Sequence, residues 1–309
     1  MSASTASDAL AEFLTDARAR VDAVLEEWSG RAVDWWPPAL APAMRYSLLG
    51  PGKRLRPALV VAAARAVGGD RDRSRAMAEI AAALEIVHAY SLVHDDLPCM
   101  DDDDLRRGRE TTHRAFDVAT ATRAGFHMVP LAAAVLAAGM EGLALDRARQ
   151  RLIAGELFRA AGAGGMIGGQ AQDLAAEGNA TEIARQHLEE IHRRKTGALI
   201  GAACVIGGLA GGASGDPLET LREYGYTIGL AFQIADDVLD ATATSAELGK
   251  TAGKDATSEK CTFVALHGID VARTEAVRLS AQAVDRLRVG GLASAILEAL
   301  ASYVVNRSR

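Results

Sequence analysis

Cysteine is scarce in this chain: Cys99, Cys204 and Cys261 are the only three in 309 residues. They are too few and too scattered for a disulfide framework or a thiolate metal site, which makes a reducing compartment the simplest expectation. Long apolar runs are missing as well. No uninterrupted stretch reaches ~18 residues, the length at which a membrane span is read, so none is expected. A basic excess is absent too: the formal net charge is −6, without the electrostatic footprint of a nucleic-acid partner. Residues 1–8 are polar and lack the basic stretch and apolar core of a secretory signal. They read as a disordered N-terminus, and the protein as cytoplasmic. Aromatic residues make up only 5% and no sustained period-two alternation occurs, so strands are not expected.

What is there favours helices, since Ala, Leu, Arg and Glu abound. Leu10, Phe13, Leu14, Ala17, Val21, Val24, Leu25 and Trp28 recur at three- and four-residue steps, with charged residues opposite. Gly30 and Trp35-Trp36-Pro37-Pro38 end that helix. Further helices are expected over 40–49, from Pro57 to Gly68, from Arg73 into an acidic cluster, then over 115–140, 146–161, 166–177, 181–209 and 217–240, with two more to the end. No fixed-period repeat, low-complexity tail or long linker divides them. Residues 1–309 therefore read as a single all-α domain, a large helical bundle with room for a central cavity.

Two aspartate-rich clusters are set into this apolar helical background. The first runs Asp95-Asp96-Leu97-Pro98-Cys99-Met100-Asp101-Asp102-Asp103-Asp104, the second Asp236-Asp237-Val238-Leu239-Asp240. Carboxylates this dense repel one another unless cations neutralise them. Mg²⁺ is usually held by one or two carboxylates together with phosphate oxygens, so two facing clusters suit a polyphosphate held between them. The apolar flanks and the absence of EF-hand spacing count against a solvated acid run or a calcium loop. Asp236 and Asp240, four apart, share one helix face. Asp95 and Asp101, six apart, would diverge on an unbroken helix, but Pro98 interrupts it and lets a loop fold Asp101 back beside Asp95. Asp102, Asp103 and Asp104 read as solvated loop acids. Basic residues gather at Lys53-Arg54-Leu55-Arg56, Arg106-Arg107-Gly108-Arg109 and Arg193-Arg194-Lys195, as anion sites sharing a cavity with metals would.

Five ordered motifs complete the pattern: Gly52-Lys53-Arg54-Leu55-Arg56-Pro57, the first cluster with Leu105-Arg106-Arg107-Gly108, Gly169-Gln170-Ala171-Gln172-Asp173, Arg194-Lys195-Thr196-Gly197, and Phe232-Gln233-Ile234-Ala235 before the second cluster. Over residues 40 to 309 the chain resembles the trans-isoprenyl diphosphate synthases, in particular bacterial farnesyl and geranylgeranyl diphosphate synthases. The resemblance implies an isoprenoid synthase-like helical fold, a homodimer, and elongation of an allylic diphosphate by isopentenyl diphosphate. It implies Mg²⁺, three ions per active site with Mn²⁺ able to substitute, held by Asp95, Asp101, Asp236 and Asp240 with Asp173 in support. Lys53, Arg56, His88 and Arg107 match positions for isopentenyl diphosphate; Arg106, Lys195, Lys250 and Lys260 match positions for the allylic diphosphate. Thr196 and Gln233 would turn neutral oxygens towards the developing cation. His94 has no such match and reads as structural.

The chain departs from the family pattern at Phe126, where an aspartate is usual after the glycine, and at Glu110, Glu259 and Phe263. Isopentenyl-site residues argue against a terpene cyclase, and intact aspartates against a non-catalytic subunit. Product length would be set by a tunnel floor at Tyr90 and Ser91, five and four positions before Asp95. The Ala89-Tyr90-Ser91 arrangement resembles farnesyl-type enzymes, so fifteen carbons are expected, with twenty as the alternative.

Overall fold

The computed structural model describes residues 3–31, 36–68, 74–176, 185–242 and 262–306. Helices α1 (Ala3–Arg31), α2 (Ala41–Leu48), α3 (Leu55–Ala66) and α4 (Arg75–Asp95) lead to the first acidic loop. After it come a hairpin, β1 (Leu105–Arg106) with β2 (Arg109–Glu110), and helices α5 (Thr112–Ala115), α6 (Val118–Gly142), α7 (Arg147–Ala161), α8 (Met166–Ala176) and α9 (Arg185–His192). A π-helical turn, Arg193–Gly197, joins α9 to α10 (Ala198–Gly211); then follow α11 (Asp216–Thr242), α12 (Phe263–His267), α13 (Ile269–Val289) and α14 (Ala295–Asn306). The all-α expectation holds. Two differences stand out: α1 already begins at Ala3, so disorder across 1–8 is not met from there on, and a short hairpin exists. Its strands are two residues each, too short for any periodicity. The tight turn is set by Arg107 and Gly108, both at positive φ (54° and 75°), the geometry that matches strand twist in a two-residue hairpin.

Sequence places the helix starts. Ser74 caps α4 by accepting from the Met77 amide, and Asp117 and Asp146 cap α6 and α7 through Thr120 and Arg149. At the centre lies α10, buried at every residue from Ala198 to Ala210 and packed against α3 and α11. An all-round apolar helix belongs in a core, where each fully buried Leu or Ile contributes roughly 1.5–3 kcal/mol. The partners α4 and α6 are long and apolar enough to cross a membrane by composition alone. The apolar stretch of α4 is 83% buried, so its hydrophobicity is used inside the bundle. That of α6 is only 50% buried, which leaves an apolar outer face.

Candidate active site

Asp95 is the last residue of α4, and the chain then turns back on itself as its Pro98 implies. The Asp101 amide donates to the Asp95 carbonyl at 2.8 Å, Asp102 to Leu97 at 3.1 Å and Asp103 to Asp96 at 3.2 Å. This loop brings Asp101 beside Asp95, with Gln170 Nε2 of α8 3.5 Å from the Asp101 carboxylate. The acids of the loop then separate by role. Asp96 is buried and holds Arg106 through Nε contacts of 2.7 and 3.0 Å and an Nη2 contact of 2.5 Å. Asp103 is also buried, 3.6 Å from Arg106, which corrects its reading as a solvated acid: the folded loop has turned it inward. Asp102 and Asp104 are exposed as expected, with Asp104 paired to Arg114.

Electrostatics follow this partition. Burial pushes the Asp95 carboxyl up to about 6; Lys195 opposes the rise and Asp101 adds to it. Burial alone would lower the Arg106 guanidinium, but Asp96, with Asp103 and Asp95 behind it, carries it above the usual arginine value. Lys195 behaves alike: burial disfavours its charge, and Asp173, Asp101 and Asp95 outweigh that. Its ammonium contacts Asp173 Oδ2 at 2.5 Å. One lysine thus sits among three carboxylates, from α4, the loop after it and α8, where a further cation is electrostatically welcome.

Lys195 and Thr196 stand in the π-turn, a feature with no signature in the residue pattern and one that recurs at functional sites. Gly169 of α8 permits the approach, since a Cβ there would lie 2.2 Å from the Lys195 amide nitrogen. Thr196 Oγ1 donates to Gln233 Oε1 at 2.6 Å, joining the turn to α11. On α11, Asp236 and Asp240 are half-buried, while Asp237 is buried and turned towards His192 and the start of α12.

The cationic residues form a second group. Arg54, which its basic patch alone does not single out, is buried at positive φ (50°) and bonded to Asp22 at 2.8 Å and Glu85 at 2.9 Å. That anchor fixes the backbone from which Lys53 and Arg56 extend. Burial first, then Arg56, Arg107, Arg106 and Arg54, hold the His88 imidazole well below its ordinary value and thus neutral at pH 7. Arg107 Nη1 donates to the Pro51 carbonyl at 2.5 Å, and a Cβ on Gly52 would sit 2.5 Å from that nitrogen, so the glycine makes way for it. Lys53 lies over the Tyr303 ring of α14, 5.6 Å from its centroid. His88 and Arg107, with Tyr46 and Thr111, line an open cleft. Lys250, Lys260 and Glu259 lie outside the described residues.

Tyr90 and His94 meet edge to face at 5.1 Å, and His94 meets Phe126 of α6 in the same way at 5.0 Å. His94 Nε2 is also 3.0 Å from the Thr122 carbonyl, in keeping with a structural role. Ser91 is buried, its hydroxyl donating to the His88 carbonyl at 2.9 Å. Phe263, where the family pattern has tyrosine, is fully buried against His267.

The family model of the polyprenyl synthetases matches residues 37–289. The chain belongs to this family, and is a prenyl-transferring enzyme. The large subunit 1 of a chloroplastic heterodimeric geranylgeranyl pyrophosphate synthase from Arabidopsis thaliana is 44% identical over 269 residues, 86% of this chain and 71% of that one. Among solved structures, a geranyltransferase from Helicobacter pylori, complexed with magnesium and isoprenyl diphosphate, superposes with a TM-score of 0.81 at 30% identity, covering 96% of both chains. A putative farnesyl-diphosphate synthase from Marinomonas sp. MED121 gives 0.76 at 37% identity, covering 96% of this chain and 99% of that one. The donor set here suits such an ion. It consists of carboxylate oxygens, with Asp101 brought back to Asp95 by the loop and Asp236 and Asp240 four apart on α11. Carboxylates offered in ones and twos, with phosphate oxygens completing the shell, are what Mg²⁺ takes.

Proposed function

We propose that this polyprenyl synthetase joins isopentenyl diphosphate to a short allylic diphosphate in a Mg²⁺-dependent reaction. The observation that carries the reading is the return of Asp101 to Asp95 with Lys195 beside both. In the reaction the allylic C1–O bond breaks and its electron pair leaves with diphosphate. The isopentenyl double bond supplies the pair for the new carbon–carbon bond, and the proton then lost from isopentenyl C2 goes to the released diphosphate. Bound magnesium would supply Lewis-acid charge for the departing group. Asp95 and Asp101, with Asp236 and Asp240 of α11, would hold it. Lys195 would grip the allylic diphosphate, while Lys53, Arg56, Arg107 and His88 hold isopentenyl diphosphate apart from the metal, so that only one substrate ionises.

On product length, the name of the Arabidopsis relative favours geranylgeranyl diphosphate. Farnesyl diphosphate is the second reading, and Tyr90 favours it: braced edge-on by His94, its ring is a floor that does not yield. A homodimer is proposed through the outer face of α6, where Phe126 is 63% exposed and Val129, Pro130, Ala133 and Ala137 continue an apolar stripe. The cytoplasm is the proposed compartment. Purified protein with Mg²⁺, labelled isopentenyl diphosphate and dimethylallyl, geranyl or farnesyl diphosphate, its products resolved by length, tests the reading. No condensation with any of the three would refute it; Tyr90→Ala is expected to lengthen a fifteen-carbon product and to leave a twenty-carbon one unchanged.

A further inference from the structure

Asp237 sits next to a proposed metal ligand, yet its bonds run the other way. Its Oδ2 accepts the backbone N–H of Phe263 at 2.8 Å, and its Oδ1 lies 3.0 Å from Gln233 Nε2. A carboxylate only accepts, so the Gln233 amide must turn its NH₂ to Asp237 and its oxygen to Thr196. Thr196 Oγ1 is 2.6 Å from that oxygen, so the hydroxyl proton is committed to Gln233. Each polarity fixes the next. Thr196 is buried and has one proton to give; with it spent, the hydroxyl shows any other neighbour lone pairs alone. His192, 3.8 Å from Asp237 Oδ2, does not interfere, because burial pushes its imidazole down to about 4 and leaves it neutral.

We propose that Asp237 is a positioning residue which, through Gln233, locks the Thr196 hydroxyl with its oxygen towards the carbon that loses diphosphate. This rests on the prenyl-transfer reading above and deepens it. A negative dipole end fixed in advance favours a developing carbocation, whereas a hydroxyl free to rotate would present its proton as readily. The carboxylate of Asp237, which has no proton to give, sets the direction of the whole chain, and the Phe263 N–H holds its other oxygen.

The test uses the reversibility of amides. In Asp237→Asn the new side chain keeps its oxygen on Phe263 N–H and offers NH₂ to Gln233. The amide then flips, Thr196 accepts, and its proton turns outward with no hydrogen bond lost. Turnover is expected to fall about ten- to a hundredfold, with KM for both diphosphates and the melting temperature little changed. Adding Gln233→Glu to that variant restores an acceptor for the Thr196 proton and is expected to recover most of the turnover. Unchanged turnover in the single variant, or no recovery in the double, would overturn the proposal. Neutron diffraction from deuterated crystals separates this from the functional reading: the Thr196 deuteron should lie on the line to Gln233 in the parent and leave it in Asp237→Asn. A deuteron elsewhere in the parent refutes the relay even if prenyl transfer is observed. A parent that lacks prenyl transfer refutes the functional reading, and the deuteron still decides the polarity.

Discussion

The two acidic clusters reach similar chemistry by different construction. In the second, an unbroken helix sets Asp236 and Asp240 on one face and sends Asp237 inward to Gln233 and the Phe263 amide. In the first, a proline-induced loop must return Asp101 to Asp95, and Asp96 and Asp103 are turned onto Arg106. In each doublet one carboxylate is committed to building the protein, Asp96 on Arg106 and Asp237 on Gln233 and the Phe263 amide, beside a neighbour proposed for metal. Adjacent residues on a helix point about 100° apart, so a doublet suits such a division. The first cluster carries the larger strain, because Asp95 is held charged in a desolvated place at neutral pH.

The largest effect should come from the proposed metal ligands. Asp95→Ala and Asp236→Ala are each expected to lower turnover about a thousandfold or more, measured with saturating substrates and Mg²⁺. Near-parental turnover in either would dissolve the distinction. Next comes the inward acid of the first cluster. Asp96→Ala leaves the Arg106 guanidinium without its main partner, and a loss of about 3 kcal/mol in denaturant stability is expected. A variant as stable as the parent would show that Asp96 does not hold the loop.

A comparable but opposite change is expected at Asp95 in metal-free protein. Its folded value of about 6 lies above the unfolded 3.8. Stability from this group is therefore complete below 3.8 and is lost as pH rises through 6. At pH 7.5 the penalty is at most about 3 kcal/mol. Asp95→Asn should raise the melting temperature at pH 7.5, with a smaller gain at pH 4.5; a gain that grows towards acid would contradict the assignment. The smallest effect belongs to the exposed Asp104, where Asp104→Ala should change stability by no more than about 0.5 kcal/mol.

Much of this was legible in the sequence, for physical reasons. Helices show as periodicity, and Pro98 announced the loop because a ring without an amide hydrogen cannot continue α4. Motif resemblance named Thr196 and Gln233 as neutral oxygens for the developing cation, and the structure shows the hydroxyl of one bonded to the amide of the other. What stayed hidden depends on contacts between distant segments. Arg54 reads as one more basic residue in a patch until Asp22 and Glu85 fold against it. The π-turn inserts no unusual residue, and Asp103 differs from Asp102 only in which way the finished loop turns it. Phe126 read as a bare departure, whereas in the fold it closes an aromatic stack with His94 and Tyr90.

The proposed division has Asp95 and Asp236 take metal while their neighbours Asp96 and Asp237 build the protein. Calorimetric titration of Mg²⁺ into protein saturated with a non-ionising allylic thiodiphosphate tests it most directly, comparing the parent with Asp95→Asn and Asp96→Asn at a temperature where all three are folded. The account predicts that Asp95→Asn loses Mg²⁺ binding while Asp96→Asn, though less stable, retains it within about threefold. Parental Mg²⁺ binding in Asp95→Asn, or equal loss in both, would contradict it.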